Sequence, residues 1–543
     1  MLLTALVFAF AGASAATIDY EGITYTVGTG AKATQLTVAK PSKEIGSYSG
    51  DIKLPDNPVT IDGKEYTIVG VAAAAFKNNT TVTSLYMPDG CITIPRGAFQ
   101  GMTALKTVRM PENIVKINAD WFNGCSSLEE FTFPASMTTL GGNMFKNCTS
   151  LKKLVFAPSE TEFTWNINTA LILKDQKDAS GNITAYASPL EEVEIHRNIG
   201  GYTQPAEVPF RGSNLKKVVI GDEVTSLGAY YFENCTSLTD LTIGKGVKTI
   251  GSNCFANTGI ASVVLPDGVT SIQGSTFQNC SNLKSVTLGN AVTSISEMAF
   301  YNAPVEVINW PATLTSISSY AFSGAKFTGA LALPEGVTYI GVQAFAKNNV
   351  SELQLPASLA TIGDAAFMLC SNVEKITVAE GNEAYKVENE ALVTKDGETI
   401  VFFPLNSATT SYSNGTAKKI IAHAFHGAKN LTVIDLPNVT EYGDYALAAT
   451  SVTKQNLKGN IGRYVLQNCQ SLVESTLLDG KEIPYGVFDG CTSLEKFTCA
   501  NEPTIVKQEA FRGTTKLKSL DLGSILAILE ADAFKNSGLE SIT

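Results

Sequence analysis

The sequence is poor in the residues that catalysis and nucleic-acid binding usually require. Only three histidines occur in 543 residues, charged residues make up 17%, and the formal net charge is -11 at pH 7. This acidic balance argues against binding of nucleic acid through a basic surface. C-x-x-C pairs, a P-loop and a G-x-S-x-G segment are missing from the sequence. We therefore expect a protein that is not an enzyme, with no catalytic residue, no cofactor and no metal site.

Long apolar runs are also scarce, and the longest lies at the N-terminus. In residues 1–16 the apolar run Leu2–Ala11 leads into Ala13-Ser14-Ala15, a small-x-small pattern typical of signal-peptide cleavage, although a basic n-region is missing. A short membrane anchor is the alternative, but the run is short for a span. Because no later stretch reaches 18 apolar residues, we expect an exported protein, secreted or at the cell surface, with no further transmembrane segment.

What the sequence does contain is self-similarity. Large apolar residues, mostly phenylalanine, recur in three blocks, within which the spacing is mostly 22 or 23 residues. We call them anchors; the blocks are Phe76, Phe99, Phe122 and Phe145, then Phe232, Phe255, Phe277, Phe300, Phe322, Phe345 and Phe367, then Phe425, Leu447, Leu466, Phe488, Phe511 and Phe534. A fixed period of this length predicts a solenoid whose repeats bury their faces against one another.

One repeat shows how the period predicts structure. After the anchor Phe99, Leu105, Val108 and Met110 match the L-x-x-L-x-L strand of a leucine-rich repeat, and Pro111 ends that strand. Prolines recur at this position and the repeats are too short for two helices, which excludes a stack of amphipathic helices. The predicted fold is an α/β repeat solenoid, a leucine-rich-repeat superhelix with a parallel β-sheet on one face. Irregular or short helical turns connect its strands, and a small N-terminal β cap covers its first repeat.

The repeat unit resembles a known family. Phe232-Glu-Asn-Cys-Thr-Ser-Leu238 and Phe277-Gln-Asn-Cys-Ser-Asn-Leu283 are similar to the unit of the BspA-like leucine-rich-repeat proteins, also called the Treponema pallidum type. The similarity extends over roughly residues 50–543. It implies a secreted or surface protein of a host-associated organism with an adhesin-like role.

The repeat period and its interruptions predict the domain organisation. The interruptions are a polar stretch at Lys174–Asn182 and two strand-like runs around an Asp-Gly turn at Leu392–Val401. We expect the repeat array to continue beyond residue 543. The predicted segments are a signal peptide (1–16), an N-terminal β cap (17–70), repeats (71–156), degenerate repeats with an insertion (157–209), repeats (210–378), an inserted β-hairpin (379–419) and repeats (420–543).

Most cysteines and two of the histidines occupy regular positions of the repeat, which favours a structural role over a catalytic or metal-binding one. Seven of ten cysteines lie three residues after an anchor, a position that points inward, so we expect buried reduced thiols; disulfides and metal binding are the alternatives. His423 and His426 flank the anchor Phe425, and one or both could lie at the outer surface, where a metal role stays an alternative without a third ligand.

The outward strand positions form the candidate binding surface. They alternate with the core positions along each strand, so one residue per repeat faces away from the core. Two functions follow: binding of a protein or cell-surface macromolecule from host or microbe, or a scaffold or glycan-binding portion of a larger exported protein whose active domain lies beyond residue 543. The candidate binding residues are Tyr86, Arg109, Thr132, Thr242, Thr287, Asn309, Gln354 and Thr377.

Overall fold

The computed structural model describes residues 15–115, 117–165, 174–177, 183–187, 189–201 and 208–543, and the side chains of 174–187 are outside that description. The chain divides into two compact units, Met1–Val269 and Thr270–Thr543. Most of the predicted signal peptide, residues 1–14, lies outside the described residues. Within the described part of the chain, no helix is both long enough and apolar enough to span a membrane.

The first unit begins with a mostly antiparallel sheet at its N-terminal end. Its strand order is β1-β2-β3-β6-β5, and β3 and β6 are the one parallel pair among these neighbours. A 3₁₀ turn at Gly30–Lys32 is the only helical element of the described residues. The strands are β1 (Thr17–Tyr20), β2 (Ile23–Val27), β3 (Gln35–Val38), β5 (Val59–Ile61) and β6 (Lys64–Val71).

The repeats of the first unit each contribute a front strand, and several add a two-residue lateral strand. The front strands are β4 (Gly50–Lys53), β7 (Val82–Tyr86), β8 (Thr107–Arg109), β9 (Glu130–Phe133), β10 (Lys153–Phe156), β14 (Glu192–Ile195), β16 (Lys217–Ile220), β18 (Asp240–Ile243) and β20 (Ser262–Val264). The lateral strands are β11 (Phe163–Thr164), β15 (Ile199–Gly200), β17 (Ser226–Leu227) and β19 (Thr249–Ile250). An antiparallel pair, β12 (Lys174–Lys177) and β13 (Ile183–Ala187), forms a hairpin between β11 and β14.

The second unit repeats the same plan. Its front strands are β22 (Ser285–Thr287), β24 (Val307–Ile308), β26 (Thr328–Ala332), β28 (Asn349–Leu355), β30 (Lys375–Val378), β34 (Ser411–Ser413), β36 (Val433–Asp435), β38 (Lys454–Leu457), β40 (Glu474–Leu477), β42 (Lys496–Cys499), β44 (Ser519–Leu520) and β46 (Ser541–Ile542). Its lateral strands are β21 (Ser271–Ile272), β23 (Ser294–Ile295), β25 (Ser316–Ile317), β27 (Tyr339–Ile340), β29 (Thr361–Ile362), β33 (Thr399–Phe402), β35 (Lys419–Ile420), β37 (Glu441–Tyr442), β39 (Asn460–Ile461), β41 (Glu482–Ile483), β43 (Ile505–Val506) and β45 (Ile528–Leu529). Two further strands, β31 (Tyr385–Glu388) and β32 (Ala391–Thr394), join β33 in an antiparallel meander.

The structure confirms the solenoid class, with about 19 turns of chain, and adds two details. The connections between strands are tight turns and not helices, a choice that the prediction of irregular or short helical turns left open, and the lateral strands form a second parallel ladder that the sequence did not predict. The reason is the turn after each anchor, where residues such as Asn234 and Asn279 have φ of 63° and 56°. Asparagine tolerates this left-handed conformation better than most residues, and it stops a helix from propagating.

The core is built on the anchors. Phe277, Phe300, Phe322 and Phe345 are buried, and neighbouring rings stack with centroids 5.2, 5.0 and 5.7 Å apart. Stacking of this kind adds to the gain from burying apolar surface. Because each ring contacts the next repeat, the period of the sequence becomes the period of the core.

Cysteines follow the anchors in the core. All ten cysteines are free, and all except Cys499 are buried. The thiols of Cys125 and Cys370 donate to the carbonyls of Phe99 and Phe345 in the preceding repeat, each at 3.1 Å. The position three after an anchor therefore satisfies a buried carbonyl, and a thiol does so with little polar surface of its own.

A polar side chain also caps the turn that follows several of the front strands. In regular repeats a hydroxyl from the next repeat does this, as when Ser358 donates to the carbonyl of Val337 at 2.7 Å. Next to the hairpin the cap is Arg197, a fully buried guanidinium that donates to the carbonyls of Phe133, Pro134, Ala135 and Met137. Burial without a carboxylate partner lowers the pKa of Arg197 to about 10. Its charge is therefore kept at neutral pH and is balanced by four backbone dipoles.

Candidate functional site

The outward row of the front strands is continuous in register over much of the first unit. Thr132 of β9 pairs with Val155, which pairs with Glu194, Val219 and then Thr242 in successive strands. Glu194 belongs to this row, and sequence reasoning missed it because the hairpin breaks the 22–23-residue spacing. The alternation in Glu192-Val193-Glu194-Ile195, with both even positions polar, was the signal that could have identified it.

Tyr86 and Arg109 lie side by side at the start of the row, but neighbouring groups already hold them. The ring of Tyr86 lies between Lys53 Nζ at 5.2 Å and the Arg109 guanidinium at 5.0 Å, so a cation approaches the ring from each side. The Tyr86 hydroxyl donates to Asp56 at 2.9 Å, and Arg109 pairs with Asp89 at 2.9 Å. These two candidate residues form a closed intramolecular cluster, which leaves them little capacity to bind a partner.

Ion pairs follow the row of the first unit on one side. Glu192 accepts from Lys153 at 3.2 Å and from Lys217 at 3.1 Å in the two neighbouring strands. The hydrogen bond that Lys153 donates to Glu194 raises the pKa of Lys153, and the pKa of Glu192 is lowered by its two lysine partners despite partial burial. Each exposed pair contributes at most about 1 kcal/mol. The alternating charges therefore add little stability. Their main effect is to favour this register of the strands over others.

The row of the second unit contains Thr287, Asn309, Ala332, Gln354 and Thr377. Asn309 is used by the fold: its amide oxygen accepts from the backbone N–H of Leu288 at 2.6 Å, and its amide nitrogen donates to the carbonyl of Leu288 at 3.0 Å. Because β24 is only two residues long, the Asn309 amide makes the hydrogen bonds that a longer strand backbone would make. Thr377 makes a long contact of 3.4 Å with the carbonyl of Leu353.

Four candidate residues remain exposed or partly exposed with uncommitted side chains. No side-chain hydrogen bond reaches Thr132, Thr242, Thr287 or Gln354 from the part of the chain that the structure describes, and all four are exposed. Short hydroxyl and amide side chains on a flat ladder are well suited to contact a second protein, because they offer hydrogen bonds without large entropy losses.

A second row, which sequence reasoning missed, lies two residues before the anchors. His423, Tyr445 and Tyr464 stack with centroids 4.9 and 5.0 Å apart, and the Tyr464 hydroxyl donates to Glu509 at 2.7 Å. The rings cover one another's faces and present their edges outward. The recurrence of Tyr or His two residues before Phe425, Leu447 and Leu466 was the signal for this row.

The two neighbouring histidines bind each other. The Nδ1 atoms of His423 and His426 are 2.7 Å apart, and both rings are partly buried. Burial lowers the pKa of His423 to about 4, with a smaller contribution from His426. Over the described residues there is no group of three or more histidine, cysteine or carboxylate side chains arranged to hold a metal ion.

The repeat itself identifies the family. The model of the BspA type leucine rich repeat region matches residues 70–170, 206–328, 293–403, 401–480 and 481–543, which is most of the chain. The chain belongs to the BspA-type leucine-rich-repeat family. Proteins of this family are typically surface proteins engaged in protein–protein interaction, and the repeat scaffold is generally non-enzymatic.

Solved structures of bacterial leucine-rich-repeat proteins are similar to this one. A leucine-rich repeat protein from Eubacterium ventriosum has 26% identity over 51% of this chain and 83% of its own, with a TM-score of 0.47. A leucine rich cell surface protein from Faecalibacterium prausnitzii has 18% identity, covers 97% of this chain and 94% of its own, and has a TM-score of 0.33. The leucine rich repeat protein of T. pallidum has 20% identity over 44% of this chain and 87% of its own, with a TM-score of 0.24. No curated protein matches the chain.

Proposed function

We propose that this chain is an exported binding protein that holds a protein or cell-surface macromolecule against the outward row of its front strands and thereby mediates adhesion. The observation that carries the proposal is the set of uncommitted short polar side chains on a regular parallel ladder. A rigid ladder holds these groups in place before a partner arrives, so less entropy is lost on binding. The acidic composition and the family's typical role in protein–protein interaction support the same function.

Export is part of the proposal and has its own test. The apolar run and the small residues at Ala13-Ser14-Ala15 support cleavage near Ala16. Expression of the full chain in a secreting bacterial host, followed by mass spectrometry of the mature N-terminus, should find a chain that begins near Ala16 outside the cytoplasm. A full-length chain that stays in the cytoplasm contradicts export.

Binding is tested with a panel of immobilised matrix proteins and glycans. A ligand found in that panel is measured again with Thr287→Arg/Gln354→Arg, which places two bulky charges on the row. We expect affinity to fall by at least about tenfold, as at the centre of an interface. The matched control is Thr361→Arg/Gln470→Arg, which makes the same changes at exposed positions away from the row. Equal binding by both double variants would place the ligand elsewhere.

A further inference from the structure

The front ladder of the second unit is interrupted at several places, and one interruption lies between β36 and β38. β36 is hydrogen-bonded to β34, and β38 to β40, but β36 and β38 are not neighbours in any sheet of the described residues. One backbone bond, from Thr453 N–H to the carbonyl of Thr432 at 3.3 Å, joins the two segments before the strands begin. Beyond this bond the two strands are not paired with each other, and the Lys458 ammonium donates to the carbonyl of Pro437 at 2.5 Å at their other end.

The space between the two strands is a cleft of about 590 Å³, which we call the β36–β38 cleft. Its volume lies in the range of ligand-binding sites. Each wall is a strand edge, and in a parallel ladder alternate residues direct their N–H and C=O groups to each neighbour. The cleft is lined by Thr432, Val433, Ile434, Asp435, Leu436, Pro437, Tyr442, Thr453, Lys454, Gln455, Asn456, Lys458 and Leu478.

A buried polar side chain lines this cleft. Gln455 is 5% exposed and occupies an inward strand position that holds leucine or isoleucine in most other repeats, such as Leu353 and Ile376. Its amide nitrogen donates to the carbonyl of Asn456 at 3.2 Å, but its Oε1 has no hydrogen-bond partner among the described residues. A buried acceptor without a donor costs stability, so a group that donates to it gains binding free energy.

The charged residues of the lining are largely used by the protein itself. Lys454 pairs with Glu474 at 3.2 Å, and Lys458 is held by the Pro437 carbonyl. Val433 and Leu478 stay about half exposed at the rim. The cleft therefore offers backbone edges, the unsatisfied amide oxygen of Gln455, apolar rim contacts and the exposed carboxylate of Asp435, which together suit an extended chain without acidic side chains better than an anion.

We infer that the β36–β38 cleft binds an extended polypeptide segment, whose backbone pairs with the free edges of the two strands and which donates a hydrogen bond to Gln455 Oε1. Strand addition of this kind takes its affinity from main-chain hydrogen bonds and its selectivity from alternate side chains. The site is separate from Thr287 and Gln354, so it does not rest on the function proposed above and can hold when that proposal fails.

The test uses the whole chain and a short synthetic peptide of alternating threonine and valine with terminal lysines and a fluorophore. Fluorescence anisotropy should show saturable binding. Two further peptides carry N-methyl groups on one or the other set of alternate residues, which removes the N–H donors along one edge. Because both walls are strand edges, we expect each methylated peptide to bind at least about tenfold more weakly. Undiminished binding of both, or no binding of the parent peptide, overturns the inference.

Two variants locate the site without unfolding the protein. Gln455→Leu restores the apolar residue usual at this position and removes the unsatisfied hydrogen-bond acceptor. We therefore expect a folded chain whose affinity for the peptide is reduced about tenfold. Val433→Trp fills the rim and should block binding, whereas Val307→Trp, at an exposed valine of another front strand, should leave it unchanged. Wild-type affinity in both Gln455→Leu and Val433→Trp excludes the β36–β38 cleft.

Discussion

The front ladder stays paired across the insertion of the first unit, but it is unpaired at the short repeat of the second unit, the repeat between the anchors Leu447 and Leu466. Between β10 and β14 the chain makes a long excursion, yet Lys153 pairs directly with Glu192 and a five-stranded ladder runs through the interruption. The anchors Leu447 and Leu466 are only 19 residues apart, with no insertion, and here β36 and β38 separate. The amount of added chain therefore does not decide whether the ladder stays closed.

The two interruptions also differ in their inward residues. After the hairpin, Val193 and Ile195 return as buried residues, and Arg197 caps carbonyls of the turn that follows β9. In the short repeat the inward position is Gln455, and the residue paired with it in β40 is Ser475, so two buried polar side chains stand where most other repeats have apolar ones. Apolar inward residues and a cap accompany the closed interruption, and a buried amide accompanies the open one. The strands β42 and β44 are also unpaired although their inward residues are apolar, so a buried amide is a feature of this opening and not a requirement for one.

The largest loss of unfolding free energy is expected for a substitution in a regular repeat. Its size is the reference for the substitutions at the two interruptions. Phe277→Ala removes a buried ring that stacks on Phe300 at 5.2 Å and should cost about 4 kcal/mol of unfolding free energy. Thr287→Ala, on the outward row of the same repeat, should cost less than about 0.5 kcal/mol. Urea denaturation followed by circular dichroism measures both. Equal losses would mean that the inward and outward faces are assigned wrongly.

At the insertion, Arg197→Met should cost about 3 kcal/mol, because buried carbonyls lose their donors while the methionine fills much of the volume. Urea denaturation can be followed by the fluorescence of Trp121 and Trp165, which are both buried in this unit. If the variant is as stable as the wild type, the cap does not hold the interruption closed.

At the short repeat we expect a substitution to raise the free energy of unfolding rather than lower it. Gln455→Leu removes an unsatisfied buried acceptor and restores an apolar inward residue, so we expect a gain of about 1 kcal/mol in the free energy of unfolding. The measurement is the shift of the urea midpoint, with Gln470→Leu at an exposed position as the control. A loss of stability would show that the Gln455 amide has a stabilising partner.

The sequence predicted the regular parts of this molecule and missed the places where it departs from its own period. Anchor spacing was sufficient for the front strands and for most of the outward row, because strand alternation follows directly from it. Glu194 was missed because the hairpin interrupts the regular spacing. Asn309 stays a predicted binding residue, and its amide already bonds to the backbone of Leu288. The short spacing before Leu466 was visible, but spacing alone does not say which strands lose their contact.

The lateral ladder was missed for a physical reason. Its strands are two residues long, as in Ser294–Ile295, too short to show alternation in a sequence. The left-handed residue two positions after each anchor is asparagine or glycine in most repeats, and either residue fits a helix end as well as a loop. The predicted domain boundaries stay predictions, as does the binding role of the outward row.

The most direct test of the contrast between a closed and an open ladder is amide hydrogen exchange resolved to single residues. β10 has hydrogen-bonded neighbours on both sides, so the amides of Lys153–Phe156 should all exchange slowly. β38 is paired on one side, so in Lys454–Leu457 we expect slow exchange to alternate with fast exchange. Uniform protection of β38 equal to that of β10 would contradict the open ladder and remove the cleft with it.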